Sequence, residues 1–510
     1  PARERLGTFT RQGAIEIVMR AAQEDVRVGA VAVEVASDGP DAGAVIVTLR
    51  TDVRPRMVVT RDLRDQLQGL AAADPEGPLH LEVARPPTHK VLARAEGVPG
   101  FGWSGWAPGE TAAEPVQQLH GDADHPWRMG LANGLLTVEV DRTDGTWSID
   151  GLTGFGRLVD DGDAGDTYNW SPPAIDVVVD RPEAVRNAAV LQSASGPVRG
   201  QVLIRTAYRL PAAVAPGPRD DPAPGRRLGG AEVVLEVATT LELRAGEDFL
   251  RVSVELDNQA QDHRLRVWFP LPEPADRSTA ECAFGTVDRG LVAEGGPTEV
   301  GLATYPSRRF VVAGGLTVVH EGLTEYELVD IEGDGEAARA HSLAVTLLRC
   351  TGLISNGPMA MRPVPAGPPT PTPDAQMAGR QRFTYALHVG GRAPYDVADD
   401  VLVPLQVARH RGSPPLGDGA ASGQALAVTG AEVSAVARVD GRLEVRVFNP
   451  TDAETTVRFD GRTGWLVDLR GRAQEPFAGS FPLRARGIQT VTLHEEHRAE
   501  PQASGNVSPT

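Results

Sequence analysis

The sequence predicts an all-β protein made of sandwiches or large open antiparallel sheets. Apolar and polar residues alternate with a period of two through most of the chain, which places one side of each segment in a core and the other in water. Segments with the spacing of amphipathic helices are sparse, and strands do not alternate regularly with helices. A chain of 510 residues is long enough for two to four such domains, each with its own core.

Strands are predicted wherever the alternation is sustained between turn residues. The clearest alternation runs through residues 264–269 and 442–447. Further strands are predicted at residues 135–140, 201–208, 233–241, 249–256 and 343–348. Asp144 and Gly145 predict a tight turn between Val138 and Trp147.

Two segments have helical spacing. Leu63, Leu67 and Leu70 lie on one helix face behind Thr60, which is a suitable N-cap. Residues 15–22 fit a helix or a strand equally well, so both alternatives stay open.

Segments rich in Pro, Gly and polar residues divide the chain. Residues 411–423 precede a new set of strands and are interpreted as a linker, residues 106–126 as another boundary, and residues 211–230 as an exposed loop within a sheet domain. The predicted domains are a small β-rich leading region at 1–128, a large β-domain at 129–410, a C-terminal β-sandwich at 424–495 and a disordered tail at 496–510.

Charge and composition exclude several classes of partner. The net charge of −18, with acidic residues scattered along the chain, argues against nucleic acid. No apolar run approaches the ~20 residues that span a bilayer, so no membrane segment is predicted. The two cysteines, Cys282 and Cys350, provide no disulfide framework. Because so few cysteines are present, the reducing cytoplasm is the expected location.

The segment from Gly100 to Gly105 has the G-x-G-x-x-G spelling of a phosphate-binding loop. Tryptophans lie in and beside it, and Pro108 interrupts the helix that such a loop requires. An aromatic β-turn is therefore favoured over nucleotide binding.

His120, Asp122, Asp124 and His125 are residue types that bind zinc or another divalent ion. Ligands this close in sequence must converge on one point, and most such clusters in polar segments are solvated. A linker is the favoured interpretation.

Asp160, Asp161, Asp163 and Asp166 crowd a glycine-containing loop. Calcium needs several hard oxygen ligands, but the EF-hand pattern fails here and Asp and Gly are ordinary turn residues. Aromatic residues follow at Tyr168 and Trp170. An acidic loop beside aromatic rings suits a sugar, whose hydroxyls need acceptors and whose C–H faces stack on rings.

Glycoside hydrolysis generally requires two carboxyl groups at a defined separation of ~5 to 10 Å. The 68 acidic residues contain no pair that the sequence singles out. Reasoning from the residues therefore assigns no catalytic residue.

An ordered series of blocks resembles the glycoside hydrolase family 38 α-mannosidases of bacteria. LANGLLTV at 131–138, followed by DGT at 144–146, resembles the opening strands of that family's large β-domain. The later blocks are GDAGDTYNWSPP from Gly162, GPVRGQVLIRTAYRLP from Gly196, LELRAGEDFLRVSVELDNQAQDHRLRVWFPLP from Leu241, YPSRRFVVAGGLTVVHEGLTEYEL from Tyr305, AVTLLRCTGLIS from Ala344, PTPDAQMAGRQRFTYALH from Pro371 and LRARGIQTVTL from Leu483. The series covers about residues 129–495.

This resemblance implies a large antiparallel β-supersandwich of the galactose mutarotase-like type, flanked by smaller β-sandwich domains. It also implies retaining hydrolysis of terminal α-mannosides with a divalent metal, usually zinc, held by an N-terminal (β/α) domain in which an aspartate is the nucleophile. The sequence lacks that domain's His-x-His-x-Asp motif and its later His-Asp segment. No catalytic residue or metal ligand is therefore assigned, and zinc is expected in a separate catalytic domain rather than in this chain.

The resemblance assigns substrate binding to Asp166, Tyr168 and Arg349. Tyr168, with Asp166 behind it, is the predicted contact for a sugar hydroxyl, and the alternative is a buried tyrosine whose hydroxyl is bonded to Asp166. Arg349 is predicted to orient a carboxylate near the domain interface, and the alternative is a strand-end arginine in a local ion pair.

The leading hypothesis is the C-terminal β-domain portion of an α-mannosidase, inactive alone, that contributes carbohydrate binding and support. Its expected partners are an α-mannoside or oligosaccharide and an N-terminal family 38 catalytic domain. The alternative is a stand-alone carbohydrate-binding or scaffold protein. A third interpretation, a β-sandwich enzyme with its own carboxylate pair, requires two buried acidic residues facing one cleft. Assembly into a homo-oligomer stays open.

Overall fold

A computed structural model describes residues 2–13, 16, 29–35, 45–50, 61–85, 92–105, 114–121, 128–191, 194–215, 225–226, 230–407 and 422–494. Strands dominate these residues, so the predicted all-β class is confirmed. The chain divides into two compact units, Pro1–Ala93 and Arg94–Thr510. The predicted domain boundaries stay predictions, because the second unit holds several of those domains together.

The first unit contains a small sheet and the helix between two of its strands. Its elements are β1 (Ala2–Thr10), β2 (Gly29–Val35), β3 (Val45–Arg50), α1 (Arg61–Ala73) and β4 (Pro78–Arg85). The strand order is β1-β4-β3-β2, and β3 and β4 are parallel. A parallel pair needs a crossover, and α1 supplies it.

The predicted helix at Leu67 and Leu70 is confirmed as part of α1. Leu67 and Ala71, one turn apart on α1, are buried. The strand residues Val45 and Leu79 of the same unit are buried as well. Thr60, the predicted N-cap, lies outside the described residues. The ambiguous segment 15–22 does too, apart from Glu16.

The second unit holds the remaining elements. They are β5 (Gly102–Ser104), β6 (Gln117–His120), β7 (Met129–Ala132), β8 (Thr137–Val140), β9 (Trp147–Ile149), β10 (Leu152–Phe155), β11 (Arg157–Gly162), β12 (Ala184–Val190), β13 (Arg199–Pro211), β14 (Glu232–Arg244), β15 (Leu250–Asn258), β16 (His263–Ala275), β17 (Arg277–Cys282), β18 (Gly285–Gly290), β19 (Thr304–Pro306), β20 (Phe310–Ala313), β21 (Leu316–His320), β22 (Glu325–Glu332), β23 (Arg339–Arg349), β24 (Gly379–Val389), α2 (Pro394–Leu402), β25 (Ser422–Gln424), β26 (Val428–Thr429), β27 (Glu432–Val439), β28 (Arg442–Phe448), β29 (Thr455–Val467), β30 (Ala473–Leu483) and β31 (Ile488–Leu493). Short 3-10 helices lie at Gly335–Ala337 and Pro373–Gln376.

Three antiparallel sheets of this unit share one hydrophobic core. The largest has nine strands in the order β12-β13-β14-β15-β24-β21-β20-β17-β18, and two five-stranded sheets have the orders β10-β9-β8-β7-β6 and β11-β16-β23-β22-β19. Trp147, Leu241, Phe269, Leu316 and Leu343 are among the buried side chains that the sheets contribute. Because each strand alternates inward apolar and outward polar residues, sheet faces of this size bury one continuous core.

The predicted strands and turn are present. Each predicted strand coincides wholly or largely with one of β8, β13, β14, β15, β16, β23 and β28. Gly145 has φ of +79°, a conformation that suits glycine at the turn after Asp144.

The last strands form a second sandwich with its own core. The sheet order is β26-β29-β31-β28-β27, and β30 pairs with β29. Phe459, Phe477 and Phe481 fill the core between the strands, with Phe477 and Phe481 ring centroids 5.3 Å apart. The Phe448 side chain lies outside this core and packs against Tyr395 on α2, with ring centroids 5.8 Å apart.

Over the described residues, no helix combines the length and the apolar character needed to cross a bilayer.

Candidate functional site

Antiparallel pairing brings the three predicted binding residues to one edge of a sheet. Gly162, at the end of β11, lies opposite His263 on β16, and Arg264 on β16 lies opposite Arg349 at the end of β23. The loop that leaves β11, residues 163–170, therefore lies two strands from Arg349. The Arg349 guanidinium donates a hydrogen bond to the backbone oxygen of Asp166.

The acidic row from Asp160 to Asp166 is neutralised by arginines, contrary to the calcium interpretation. Asp161 is buried and accepts a bidentate pair from Arg264, at 3.1 and 2.8 Å, and a further bond from Arg266 at 3.1 Å. Each carboxylate of the row is paired with a guanidinium group, whose positive charge neutralises it and repels a further cation. These residues therefore do not fit a calcium site, nor a zinc ion.

Asp160 lies at the buried end of the row. Its two oxygens contact the Arg226 guanidinium and, at 2.5 Å, the Nδ1 atom of His263, and all three side chains are almost completely buried. The sequence predicts residues 211–230 to be an exposed loop, and at Arg226 that prediction is wrong. The cause is the ion pair, because a fully buried carboxylate requires a cation beside it.

Asp163 is the buried partner of Arg349. The Arg349 Nε atom lies 2.9 Å from Asp163 Oδ2, while Oδ1 accepts backbone amides from Gly165 and Ser171. Burial raises the pKa of Asp163 to about 6, although Arg349 and the amides act in the opposite direction. Arg349 thus forms the local ion pair that was the alternative to its binding role.

Asp166 fixes the shape of the loop. It is completely buried, and its oxygens accept the backbone amides of Tyr168 at 2.9 Å and Asn356 at 2.7 Å as well as the Arg362 guanidinium. Burial alone would raise the pKa of Asp166, but these hydrogen bonds outweigh it and lower the pKa. The loop is therefore held by a carboxylate that stays ionised.

Tyr168 lies at the surface of this loop, so the buried-tyrosine alternative is wrong. The side chain is 62% exposed, and Asp166 binds the backbone amide of Tyr168 rather than its hydroxyl. The Arg362 guanidinium lies 5.8 Å from the ring centroid. The ring is thus presented to solvent on a rigid support. A sugar contact by Tyr168 stays a prediction.

An open depression of about 440 Å³ lies beside the loop. Its lining includes Tyr168, Trp170, Glu294, Glu299, Glu325 and Arg349. The Arg264 guanidinium lies 4.1 Å from the Trp170 ring centroid, and the Trp170 indole donates to the Gly162 carbonyl at 2.9 Å. Aromatic rings, carboxylate acceptors and a guanidinium donor are the groups that bind a polyhydroxylated ligand.

The other sequence motifs lie elsewhere. Gly102–Ser104 forms strand β5, which pairs with β25, as expected for β-structure rather than for a phosphate-binding loop. His120 ends β6, whereas Asp122, Asp124 and His125 lie outside the described residues. Over the described part of the chain, no three His, Cys, Asp or Glu side chains are grouped closely enough to hold a metal ion.

Several residues of the site have no local signal in the sequence. Arg226, Arg362 and Asn356 bind the acidic row from positions between 66 and 196 residues further along the chain. Glu299 accepts a hydrogen bond from Asn169 across 130 residues. The sequence shows that almost all of the basic residues are arginine. This excess does not show which arginine pairs with which acidic residue.

The fold of this chain is found in solved glycoside hydrolase structures. Two solved structures share it: an α-mannosidase from Enterococcus faecalis V583 and a glycosyl hydrolase family 38 protein from Enterococcus faecalis. Each matches 76% of this chain with a TM-score of 0.57 and 22% sequence identity. The chain covers 43% and 45% of these two structures, respectively.

In sequence, the chain is similar to a particular hydrolase. It is 26% identical over 368 residues, 67% of its length, to a protein of Halalkalibacterium halodurans named "Putative mannosylglycerate hydrolase". The chain spans 38% of that protein, and so less than half of each of these relatives. No family model matches the chain. The predicted resemblance to family 38 is confirmed by these relatives.

Proposed function

We propose that this chain forms the β-rich portion of a retaining α-mannosidase that hydrolyses terminal α-mannosides. In this proposal it acts beside a family 38 catalytic domain that carries the nucleophile and the zinc ion. The fold shared with an α-mannosidase and the sequence similarity to a mannosylglycerate hydrolase support this assignment. The role of the chain is to form one wall of the sugar-binding pocket.

The exposed ring of Tyr168 is the observation that carries the proposal. A single exposed aromatic ring is common on protein surfaces, but this ring lines a depression together with carboxylates and belongs to a loop fixed by hydrogen bonds. Here three backbone amides and the Arg362 guanidinium donate hydrogen bonds to the Asp166 carboxylate and fix the loop, and the ring lines the same depression as Glu299 and Glu325. A ring that stacks on a sugar face, with acceptors for its hydroxyls, explains this arrangement.

The buried carboxylates do not favour catalysis by this chain alone. A glycosidase needs two carboxyl groups free to act on one bond, as nucleophile or base and as acid. Asp160, Asp161, Asp163 and Asp166 each contact a guanidinium group, so none of them is free for either role.

An activity assay tests the proposal. The purified chain with added zinc is expected to leave an aryl α-mannoside intact, whereas the chain together with a family 38 catalytic domain is expected to hydrolyse it. In that combination Tyr168→Ala should lower kcat/KM about tenfold, because loss of a stacking ring costs roughly 1 kcal/mol or more. Val178→Ala is the matched control, since Val178 is also exposed at 56% and lies outside the depression. Metal-dependent turnover by the chain alone would contradict the proposal.

A stand-alone carbohydrate-binding function is the second candidate, and the same depression favours it. Titration of the isolated chain with manno-oligosaccharides distinguishes the two functions. Saturable binding that Tyr168→Ala abolishes would favour the binding module, provided that the chain also hydrolyses no mannoside when a catalytic domain is added. Tyr168→Phe separates the hydroxyl contact from ring stacking, because it removes only the hydroxyl.

A further inference from the structure

The dipeptide Asn-Gly occurs twice in the chain, at Asn133-Gly134 and Asn356-Gly357. In this dipeptide the glycine nitrogen can attack the asparagine Cγ atom, because glycine has no Cβ atom to hinder the approach. The new bond between the glycine nitrogen and Cγ closes a succinimide ring while the Cγ–Nδ2 bond breaks. The glycine amide proton moves through solvent to the departing nitrogen, which leaves as ammonia. Addition of water then opens the ring to aspartate or isoaspartate. The rate depends on how closely the structure holds the nitrogen to the carbonyl group.

Asn356 is held in a reactive arrangement. The backbone nitrogen of Gly357 donates a hydrogen bond to Asn356 Oδ1 at 2.8 Å. The nitrogen therefore lies beside the carbonyl group whose carbon it attacks, and the hydrogen bond polarises that group. Asn356 is only half-buried, so water reaches the succinimide.

Asn133 is held in an unreactive arrangement. It is 1% exposed, and its Oδ1 atom accepts the backbone amides of Leu135 and Leu136 at 3.0 and 2.9 Å. Its Nδ2 group donates to two backbone carbonyls, at 2.7 and 2.8 Å. The Oδ1 atom of Asn133 thus faces the amides of two later residues, whereas that of Asn356 faces the amide of the glycine that follows it. The same dipeptide is thus protected at one position and exposed to reaction at the other.

We propose that Asn356 is a site of spontaneous deamidation, with water as co-reactant, and that the reaction releases the acidic loop at residues 163–170. Asn356 holds this loop twice: its Nδ2 group donates to the Ala164 carbonyl at 3.0 Å, and its backbone amide donates to Asp166 at 2.7 Å.

Deamidation replaces the donating Nδ2 group by an oxygen, which then faces the Ala164 oxygen. The new carboxylate also lies near the carboxylate of Asp166, and like charges in a partly buried site repel. In isoaspartate the main chain runs through the former side chain and is one methylene longer, which displaces the backbone amide of residue 356 that binds Asp166. The loop that carries Tyr168 therefore loses anchors with each conversion, and the depression changes shape with the age of the protein.

Peptide mapping by mass spectrometry tests the inference. The chain is incubated at mildly alkaline pH and digested with trypsin, which places Asn133 in the peptide at 129–142 and Asn356 in the peptide at 350–380. Deamidation of Asn356 is expected to be at least about tenfold faster than that of Asn133 in the folded chain. In concentrated urea the two rates should become similar, because the structure that separates them is lost.

Gly357→Ala is the matched variant. A Cβ atom at Gly357 meets no atom within 4 Å, so the fold accommodates alanine while the methyl group hinders the attack. Deamidation in the peptide at 350–380 should then fall at least about tenfold. The proposal that the fold promotes deamidation of Asn356 would be overturned by equal rates at Asn133 and Asn356 in the folded chain. It would equally be overturned by a preference for Asn356 that persists in urea, or by an unchanged rate in Gly357→Ala.

Hydrogen exchange tests the effect on the loop. Amides of residues 163–170 are expected to exchange faster in the deamidated fraction than in freshly purified protein, and aged Gly357→Ala should keep the slow rate. Unchanged exchange in the deamidated fraction would refute release of the loop.

Discussion

Both ring nitrogens of His263 face hydrogen-bond acceptors in the interior. Nδ1 lies 2.5 Å from Asp160, and Nε2 lies 3.2 Å from Asn258 Oδ1. That oxygen also accepts the amide of Ala260, while the Asn258 Nδ2 group donates to a carbonyl, which fixes the orientation of the amide. A ring that donates from both nitrogens is an imidazolium. Burial alone would lower the pKa of His263, but Asp160 outweighs it and raises the pKa to about 10.

This pKa predicts a loss of stability on the alkaline side. An unfolded histidine titrates near ~6.5, so the stabilisation is fully present below that pH and is lost as pH rises toward about 10. The free energy of unfolding, measured by urea denaturation, should fall across this window by up to about 1.4 kcal/mol per pH unit.

His263→Gln should flatten that slope, because glutamine does not titrate. His320→Gln is the control, since burial lowers the pKa of His320 to about 4 and the ring stays neutral throughout the window. A His263→Gln protein that keeps the slope of the unchanged chain would contradict the assignment.

At the scale of elements, the loop at 163–170 depends on a close approach of backbone to backbone. A Cβ atom at Gly165 would lie 2.0 Å from the Asn169 carbonyl oxygen and 2.8 Å from Asp163 Oδ1. Both atoms belong to the hydrogen-bonded turn that presents Tyr168, so neither can move freely.

Gly165→Ala is therefore expected to lower the free energy of unfolding by roughly 1–3 kcal/mol, as overpacked sites do. Urea denaturation measures this loss, and Gly357→Ala, with open space at its Cβ, should be nearly neutral. Equal stability of the two variants would show that the loop has more room than its contacts indicate.

The elements also show how far sequence reasoning reaches. Period-two alternation predicted strands such as β14, β15 and β16, because each strand is patterned by its own two faces. The family resemblance predicts Asp166, Tyr168 and Arg349 as binding residues, and strand pairing does bring them together. Arg226 and Arg362 could not be predicted, since pairing between distant loops depends on the finished fold and leaves no local pattern.

At the scale of the whole second unit, the last sandwich is joined to the large sheets by aromatic contacts. Phe448 on β28 lies 5.8 Å from the Tyr395 ring and 5.9 Å from the Phe284 ring. Arg486 adds hydrogen bonds to Thr286, beside a salt bridge to Asp452. Helix α2 thus lies between two cores and depends on both.

Phe448→Ala should loosen α2 without unfolding the sandwich core. Amide exchange in Pro394–Leu402, followed by mass spectrometry, should become at least about tenfold faster, because a buried aromatic contact is lost. Phe481→Ala removes a ring of the sandwich core that contacts Phe459 and Phe477, and it should leave exchange in α2 nearly unchanged. If exchange in α2 becomes faster with Phe481→Ala but not with Phe448→Ala, the coupling between α2 and the last sandwich runs through the sandwich core rather than through Phe448.

Strand β5 pairs with β25, and the Gln424 side chain bonds the Gly100 carbonyl across 324 residues of sequence. The stretch before the large sheets and the stretch before the last sandwich are therefore two halves of one ribbon. A protein cut anywhere between these two strands would leave each piece with a bare edge, open to pairing with a neighbouring copy. Fragments chosen by reading domains along the sequence should therefore aggregate more readily than fragments that keep both strands.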